Sequence, residues 1–155
     1  MKHFIFILCL SVSGLAVGQD YGDSLVKKEF VSAETIEYWM VRYINVERIK
    51  LGLDTLVVDS EPDQIAKTHS AWMLRTGKYE HSKLNIAEII MKGGSGSNRY
   101  SHKSRAQGVV NAWMGSPGHR AHIVNPDFKY IGTGYSYTVR QLDGFISYYY
   151  TATFR

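Results

Sequence analysis

The sequence predicts an α+β fold, with helices packed on an antiparallel sheet, and three observations predict it. Apolar residues recur at helical spacing through the first two thirds of the chain, as in Ile36, Trp39, Met40, Tyr43 and Ile44. The pattern then changes: Ile131–Val139 and Phe145–Phe154 are rich in aromatic and β-branched residues, which suit strands. Arg140-Gln-Leu-Asp-Gly144 joins these two runs, and Asp-Gly is a strong turn signal for an antiparallel hairpin.

The start of the chain is read apart from the fold. Met1-Lys2-His3 is a short basic start, Phe4 to Leu10 an apolar run continuing to Val17, and Ala16-Val17-Gly18 a small-x-small cleavage pattern. Residues 1–18 are expected to be a secretory signal peptide, too short for a spanning helix; a retained membrane anchor is the alternative. Residues 19–31 are expected to be a loose leader and 32–155 one domain. About 137 residues remain after cleavage, enough for one core at ~100–150 residues per domain. The one cysteine, Cys9, leaves with the signal peptide, so the mature domain holds together without disulfides. Loss of Lys2 takes the formal charge from +4 to +3, and no basic cluster lies beside a reading element, so no nucleic acid partner is expected. No later stretch is long enough to span a bilayer.

The elements follow in order. Ser32 is a natural cap for the first helix, Glu34 suits its first turn and Gly52 ends it. Leu53–Asp59 is a short extended link. Ser60-Glu-Pro-Asp63 opens the second helix, with Ser60 as cap, Pro62 in the first turn and Asp63 in the capping-box position. Its face is Ile65, Ala66, His69, Trp72 and Met73, and Gly77 stops it. Lys78 to Gly96 is expected to be irregular or to hold a short helix near Ile86 to Met91, with Gly93-Gly-Ser-Gly-Ser97 a flexible loop. Ser104 caps a third helix that turns Ala106, Val109, Val110 and Trp113 inward. Gly115 stops that helix, Ser116 caps a fourth, and Pro117 takes its first position. His119 then falls in a first turn, beside free backbone N–H groups, and Asn125-Pro126 ends the element.

The candidate chemistry rests on His81, Glu88 and His119. Glu88 is embedded among isoleucines, and a carboxylate there needs a partner. A histidine is the obvious one: Glu88 holds His81 or His119 in one tautomer, leaving the other ring nitrogen for a cleft or a metal. His69 reads as a satisfied core histidine, His102 as exposed, and His122 as solvated or a neighbour of the site. Ser82 or Ser116 beside His81 or His119 would make a nucleophile and base. The chain has no nucleophile elbow and no His-Glu-x-x-His segment, however. Most of the eleven tyrosines lie near the C-terminus. Tyr135, Tyr137, Tyr148 and Tyr150 either form a binding face for lipid, glycan or peptide, or are sheet surface and core.

Taken in order, several segments resemble the CAP superfamily of cysteine-rich secretory, antigen 5 and pathogenesis-related proteins, in its bacterial, cysteine-free branch. They are Ile44-Asn-Val-Glu-Arg48 with Gly52-Leu-Asp-Thr-Leu56, Ala66–Met73, Tyr79-Glu-His81-Ser82, Ala87-Glu88-Ile89, Asn111–Val124 and Ile131-Gly-Thr-Gly134 with the tyrosine-rich last strand. The resemblance implies a three-layer α-β-α sandwich around a central antiparallel sheet, with His81, Glu88 and His119 lining one cleft. It further implies a divalent metal, often zinc, with His81 and His119 as ligands, a donor type that suits zinc. This chain departs from the family pattern in three places. Trp113 is followed by Met-Gly-Ser where the family has a second glutamate, Ile89 replaces an asparagine, and only six residues separate His81 from Glu88. The function implied is a secreted or envelope-associated monomer that binds a lipid, glycan or peptide. The alternative is a metal-assisted hydrolase with Glu88 as general base.

Overall fold

The computed structural model describes residues 35–96, 100–140 and 144–155. The expected signal peptide, the leader and the Ser32 cap lie outside them, as do Ser97 and residues 141–143 of the hairpin connector. In chain order the elements are α1 (Ile36–Lys50), β1 (Val57–Val58), α2 (Ser60–Thr76), β2 (Ala87–Ser95), α3 (His102–Gly115), α4 (Pro117–Ile123), β3 (Tyr130–Val139) and β4 (Ile146–Phe154).

The helices start where an extended residue can reach a free N–H. Thr35 caps α1 and accepts from the Tyr38 N–H at 3.2 Å. Asp59 caps α2 and accepts from the Glu61 N–H at 3.1 Å, so Ser60 is the first helical residue rather than the cap. Ser101 caps α3 and accepts from the Ser104 N–H at 3.2 Å, which places Ser104 inside the helix. Each corrected boundary has the same cause. Several hydroxyl or carboxylate residues compete near the helix start, and the one with extended backbone takes the bond. Gly77 ends α2 in the left-handed region, at φ +69°. Ser116 separates α3 from α4 at φ −100° and ψ 117°, but its side chain makes no capping bond.

Residues 87–95 form a strand, not the expected irregular stretch or short helix. Ala87 pairs with Phe154 and the register runs without a break to Ser95 opposite Ile146, taking in Gly93, Gly94 and Ser95 of the expected loop. A strand covered on both faces shows no alternation in its sequence, so Ala-Glu-Ile-Ile-Met carries no period-two signal. At Gly94 a Cβ would run into the Phe145 ring, so the glycine is there for close packing.

The sheet order is β1-β3-β4-β2. β4 pairs antiparallel with both β3 and β2, while the two-residue β1 runs parallel to β3. Alternation along the strands sorts side chains into two layers of packing. On one face Ile89, Ile131, Tyr148, Tyr150, Ala152 and Phe154 meet the buried residues of α1, α3 and α4, among them Met40, Ile44, Val110 and Trp113. On the other, Ile90 and Tyr149 pack on Met73 of α2. The result is helix layer, sheet, helix layer.

Two features lock these layers. Gly132 and Gly134 lie under α2 so closely that a Cβ on either would overlap backbone atoms of Pro62 and Asp63, or of Ala66 and Lys67. The Thr153 hydroxyl donates to the Pro62 carbonyl at 2.8 Å, and Ser70 and Ser136 hydroxyls meet at 3.2 Å. On the other face Arg48 is fully buried at the end of α1. Its guanidinium donates to the carbonyls of Asp54 (2.7 Å), Ile123 (2.9 Å), Asn125 (2.8 Å) and Phe128 (3.4 Å), joining α1 to the end of α4 and the approach to β3. Burial lowers the Arg48 pKa, partly offset by the Asp54 carboxylate.

Gly134→Ala is expected to destabilise the domain by about 1–3 kcal/mol through overpacking at the α2 seam. Gly108→Ala, where nothing stands near a Cβ, is the control and is expected to hold or raise stability. Urea unfolding checks both; equal midpoints for the two variants would show that the seam tolerates a side chain.

Candidate functional site

The candidate site forms where β2, the segment leading into it, and α2 meet. β2 is an edge strand, and its outer side is closed by side chains. The Tyr79 hydroxyl and the Trp113 indole N–H both donate to the Ile90 carbonyl, at 3.1 and 3.3 Å. Alternation then points Glu88, like Ile90, toward the α2 face. Its side chain is only 3 % exposed.

Glu88 Oε1 is the hub. It accepts from the Ser82 backbone N–H at 2.9 Å and from His81 Nδ1 at 3.0 Å. A carboxylate only accepts, so Nδ1 of His81 carries the proton and, in the neutral ring, Nε2 keeps its lone pair. The His81 side chain is 59 % exposed, so a fixed ring presents its free edge to solvent. His69 approaches from α2, with Nε2 3.7 Å from Glu88 Oε1 and 3.0 Å from the Glu80 carbonyl, to which it donates. The His69 ring stacks on Trp72 at 5.5 Å between centroids. Glu88 Oε2 and the Ser82 hydroxyl are buried without a hydrogen-bond partner.

His81 and Glu88 are therefore brought together. His119 is half-buried in the first turn of α4. Burial is the first cause of a pKa below the ordinary 6.5, and the neighbouring His81 and His122 add to it. His69, expected from the sequence as a satisfied core histidine, is a third neighbour of the pair. It is buried and bonded as expected, yet it also borders Glu88. The available signal was its place on the inward face of α2, one turn from Trp72. His122, expected to be solvated, is half-buried and stacks on Phe128 and Phe154 at 6.4 and 6.2 Å. His102 is exposed at the start of α3.

The tyrosine face resolves into core and rim. Tyr148 and Tyr150 are buried, Tyr135 stacks on both, and Tyr137 at the hairpin end is exposed. Arg105 lies over the Tyr148 ring at 4.3 Å. Burial pushes the Tyr150 pKa up to about 12 despite the opposing pull of Arg105. Most of this aromatic surface is covered by α1 and α3 and is not an open platform.

The open concave surface lies on the α2 side. It is a cleft of about 730 Å³ between the outer strip of α2 and residues 80–84, with His69, Trp72 and His81 in its wall. Among the described residues no group of three or more His, Cys, Asp or Glu side chains is arranged to hold a metal ion. His81 also turns its Nδ1 onto Glu88, whose Oε1 already serves two donors. With Nδ1 on Glu88, His81 keeps Nε2 free, so the two imidazoles named from the sequence remain the candidate donors, and no chemical step is derived through a metal.

Comparison with known proteins gives a consistent picture. Residues 41–154 match the CAP family, described as the Cysteine-rich secretory protein family. The uncharacterized protein YkwD of Bacillus subtilis is 33 % identical over 112 residues, 67 % of this chain and 44 % of its own length. The uncharacterized membrane protein YlbC of the same organism is 27 % identical over 129 residues, 74 % of this chain and 37 % of its own. This chain thus spans less than half of either. Among solved structures, MpPR-1i superposes with a TM-score of 0.54 at 18 % identity, covering 85 % of this chain and 87 % of that one. An outer surface protein of Borrelia burgdorferi gives 0.51 at 18 %, covering 74 % and 88 %. Both share the α+β fold.

Two outcomes are expected. Above neutral pH, long-range nitrogen-15 spectra should show His81 as the Nδ1–H tautomer, and Glu88→Ala should abolish that preference; an Nε2–H ring in the native protein contradicts the geometry. For His119 the sign follows from its lowered pKa. The unfolded chain binds a proton near 6.5 and the folded chain only at lower pH. The stability it contributes is complete above 6.5 and is lost as pH falls from there through the folded pKa. Urea midpoints between pH 7.5 and 5 should therefore fall less steeply in His119→Gln than in the native protein.

Proposed function

The chain belongs to the cysteine-rich secretory protein (CAP) family, and on that premise we propose that it is an extracellular or envelope-associated module that binds a small ligand in the cleft beside His81. The observation that carries this reading is the separation of the carboxylate from the cleft. Glu88 is 3 % exposed and fully engaged at Oε1, while a molecule in the cleft meets the His81 ring and Trp72. At about 730 Å³ the cleft falls within the ~300–1,000 Å³ of small-molecule sites.

The hydrolase alternative asks Glu88 to act as general base on a water within hydrogen-bond reach. The burial of Glu88 behind His81 supports the role of orienting that ring instead. Placement outside the cytoplasm is supported by the N-terminal signal-peptide pattern and by the outer-surface name of the Borrelia neighbour. No helix among the described residues is long and apolar enough to cross a membrane.

Native mass spectrometry of the mature protein, recovered from its own secretions, tests the binding reading. A co-purifying mass released on denaturation is expected, retained in His81→Ala and lost in Trp72→Ala. A bare polypeptide mass for native protein and Trp72→Ala alike overturns the proposal. Turnover of a substrate that vanishes in His81→Ala restores the enzymatic one.

A further inference from the structure

The two edges of the sheet are treated differently. On β2 the Ile90 carbonyl takes the Tyr79 hydroxyl and the Trp113 indole N–H, and Lys92 adds a charge further along. On the β3 side the cover stops early. β1 pairs only with Tyr130 and Ile131, and the Asp63 carboxylate accepts from the Thr133 N–H at 3.4 Å. Tyr130 exchanges both backbone bonds with Arg155, and the Arg140 N–H donates to the Phe145 carbonyl, so the even-numbered residues of β3 bond to β4. The odd-numbered Tyr135, Tyr137 and Val139 therefore aim N–H and C=O away from the sheet, where no group among the described residues bonds them.

This edge carries none of the usual guards. Tyr130–Val139 holds no charged residue and no proline, and its register with β4 runs without a bulge. Tyr137 and Val139 are 55 % and 49 % exposed. The helices lie to other sides. The Thr133 hydroxyl donates to the Glu37 carbonyl at 3.3 Å, and α1 runs from that level back toward β1, where Asn45 bonds Leu56. The second half of α2 leans over the far strands, with Met73 on Tyr149 and Ile90.

We infer that this edge receives a second copy of the chain, in a two-fold dimer whose β3 strands pair antiparallel about Tyr137 and join two four-stranded sheets into one. That centre maps the three open positions onto one another: Tyr137 onto itself, Tyr135 onto Val139. Each such pair exchanges two backbone bonds, about six in all. The side chains match as well. Tyrosine meets tyrosine at the axis, tyrosine meets valine on either side of it, and Ser136 meets Thr138 on the α2 face. Arg140 continues the strand on that same face and arrives opposite Gly134 of the other copy, beside the Asp63 carboxylate held at the Thr133 N–H, so opposite charges meet at both ends. A foreign peptide would gain the backbone bonds alone, whereas a second copy brings the side-chain and charge matches by symmetry. The paired stretch is short, below ~1,200 Å² of buried surface, so association is weak and reversible. The open positions include no residue of the cleft beside His81, so the dimer stands independently of the ligand-binding reading.

Sedimentation velocity on the mature protein over about a hundredfold range of concentration tests this, and the mass is expected to rise reversibly toward two chains. Val139→Pro removes an outward N–H without touching a bond to β4, and should weaken association at least about tenfold with little change in the melting curve. Tyr137→Lys sets like charges face to face at the axis and should do the same, with partial recovery at high salt. Hydrogen exchange gives the residue-level readout: the amides of Tyr135, Tyr137 and Val139 should slow as the dimer forms, while those of Ser136 and Thr138, already bonded to β4, should not. The mass of one chain at every concentration, as the family resemblance implied, overturns the proposal. So does a dimer that survives both variants or protects other amides. Slowed exchange of the three amides in a sample that stays one chain in mass gives the edge to a different occupant and overturns the second copy.

Discussion

Helix α2 lies against β3 closer than any side chain on the strand would permit, and the cleft side of the molecule depends on that approach. Gly132 and Gly134 remove the two Cβ atoms that would otherwise strike the first turns of the helix. With the backbones in contact, Thr153 reaches the Pro62 carbonyl and Ser70 meets Ser136, so the helix is fixed along its length as well as in its distance. Fixing α2 lays His69 over the neighbouring strands at the level of Glu88. It also leaves the opposite strip of the helix, from Ile65 to Arg75, as an exposed wall. A seam built to save space on one face of α2 thereby sets both the buried contacts of Glu88 and the shape of the cleft.

Two of the domain's buried charges, Arg48 and Glu88, are handled in opposite ways. Arg48 has no carboxylate in hydrogen-bonding contact, but four backbone carbonyls accept from its guanidinium. That arrangement is satisfied and structural: it ties the end of α1 to two later segments whose own backbone groups would otherwise be orphaned. Glu88 is satisfied on one oxygen only. Its partners are a backbone N–H and an imidazole that extends into solvent. A buried carboxylate that orients an exposed ring is a constraint on where that ring points, which is why His81 rather than Glu88 belongs to the cleft.

Legibility in the sequence followed the range of the interactions. The first-helix face, the inward positions of the third helix, the Gly77 stop and the final hairpin all rest on neighbours a few residues apart. All four appear in the fold as read. Caps were legible as a type but displaced by one to three residues, because Asp59 and Ser101 take the free N–H groups that the sequence offers equally to Ser60 and Ser104. β2 was not legible. Its partners lie far along the chain in β4, and burial on both faces erases the alternation that would have marked it. Gly93 and Gly94 looked like a loop because their pairing with β4, and the packing of Gly94 on Phe145, cannot be seen locally.

By itself the sequence determined the α+β order, the family resemblance, and the pairing of a buried acid with a histidine, because a carboxylate among isoleucines must find a donor. Tertiary structure alone decided which histidines. It gave Glu88 to His81 through Nδ1, drew His69 in from α2, and left His119 as a half-buried neighbour whose charge is disfavoured. It also moved the open surface from the tyrosine face to the outer strip of α2. The reason is that these choices depend on how closely two layers approach, and two glycines in a distant strand set that distance.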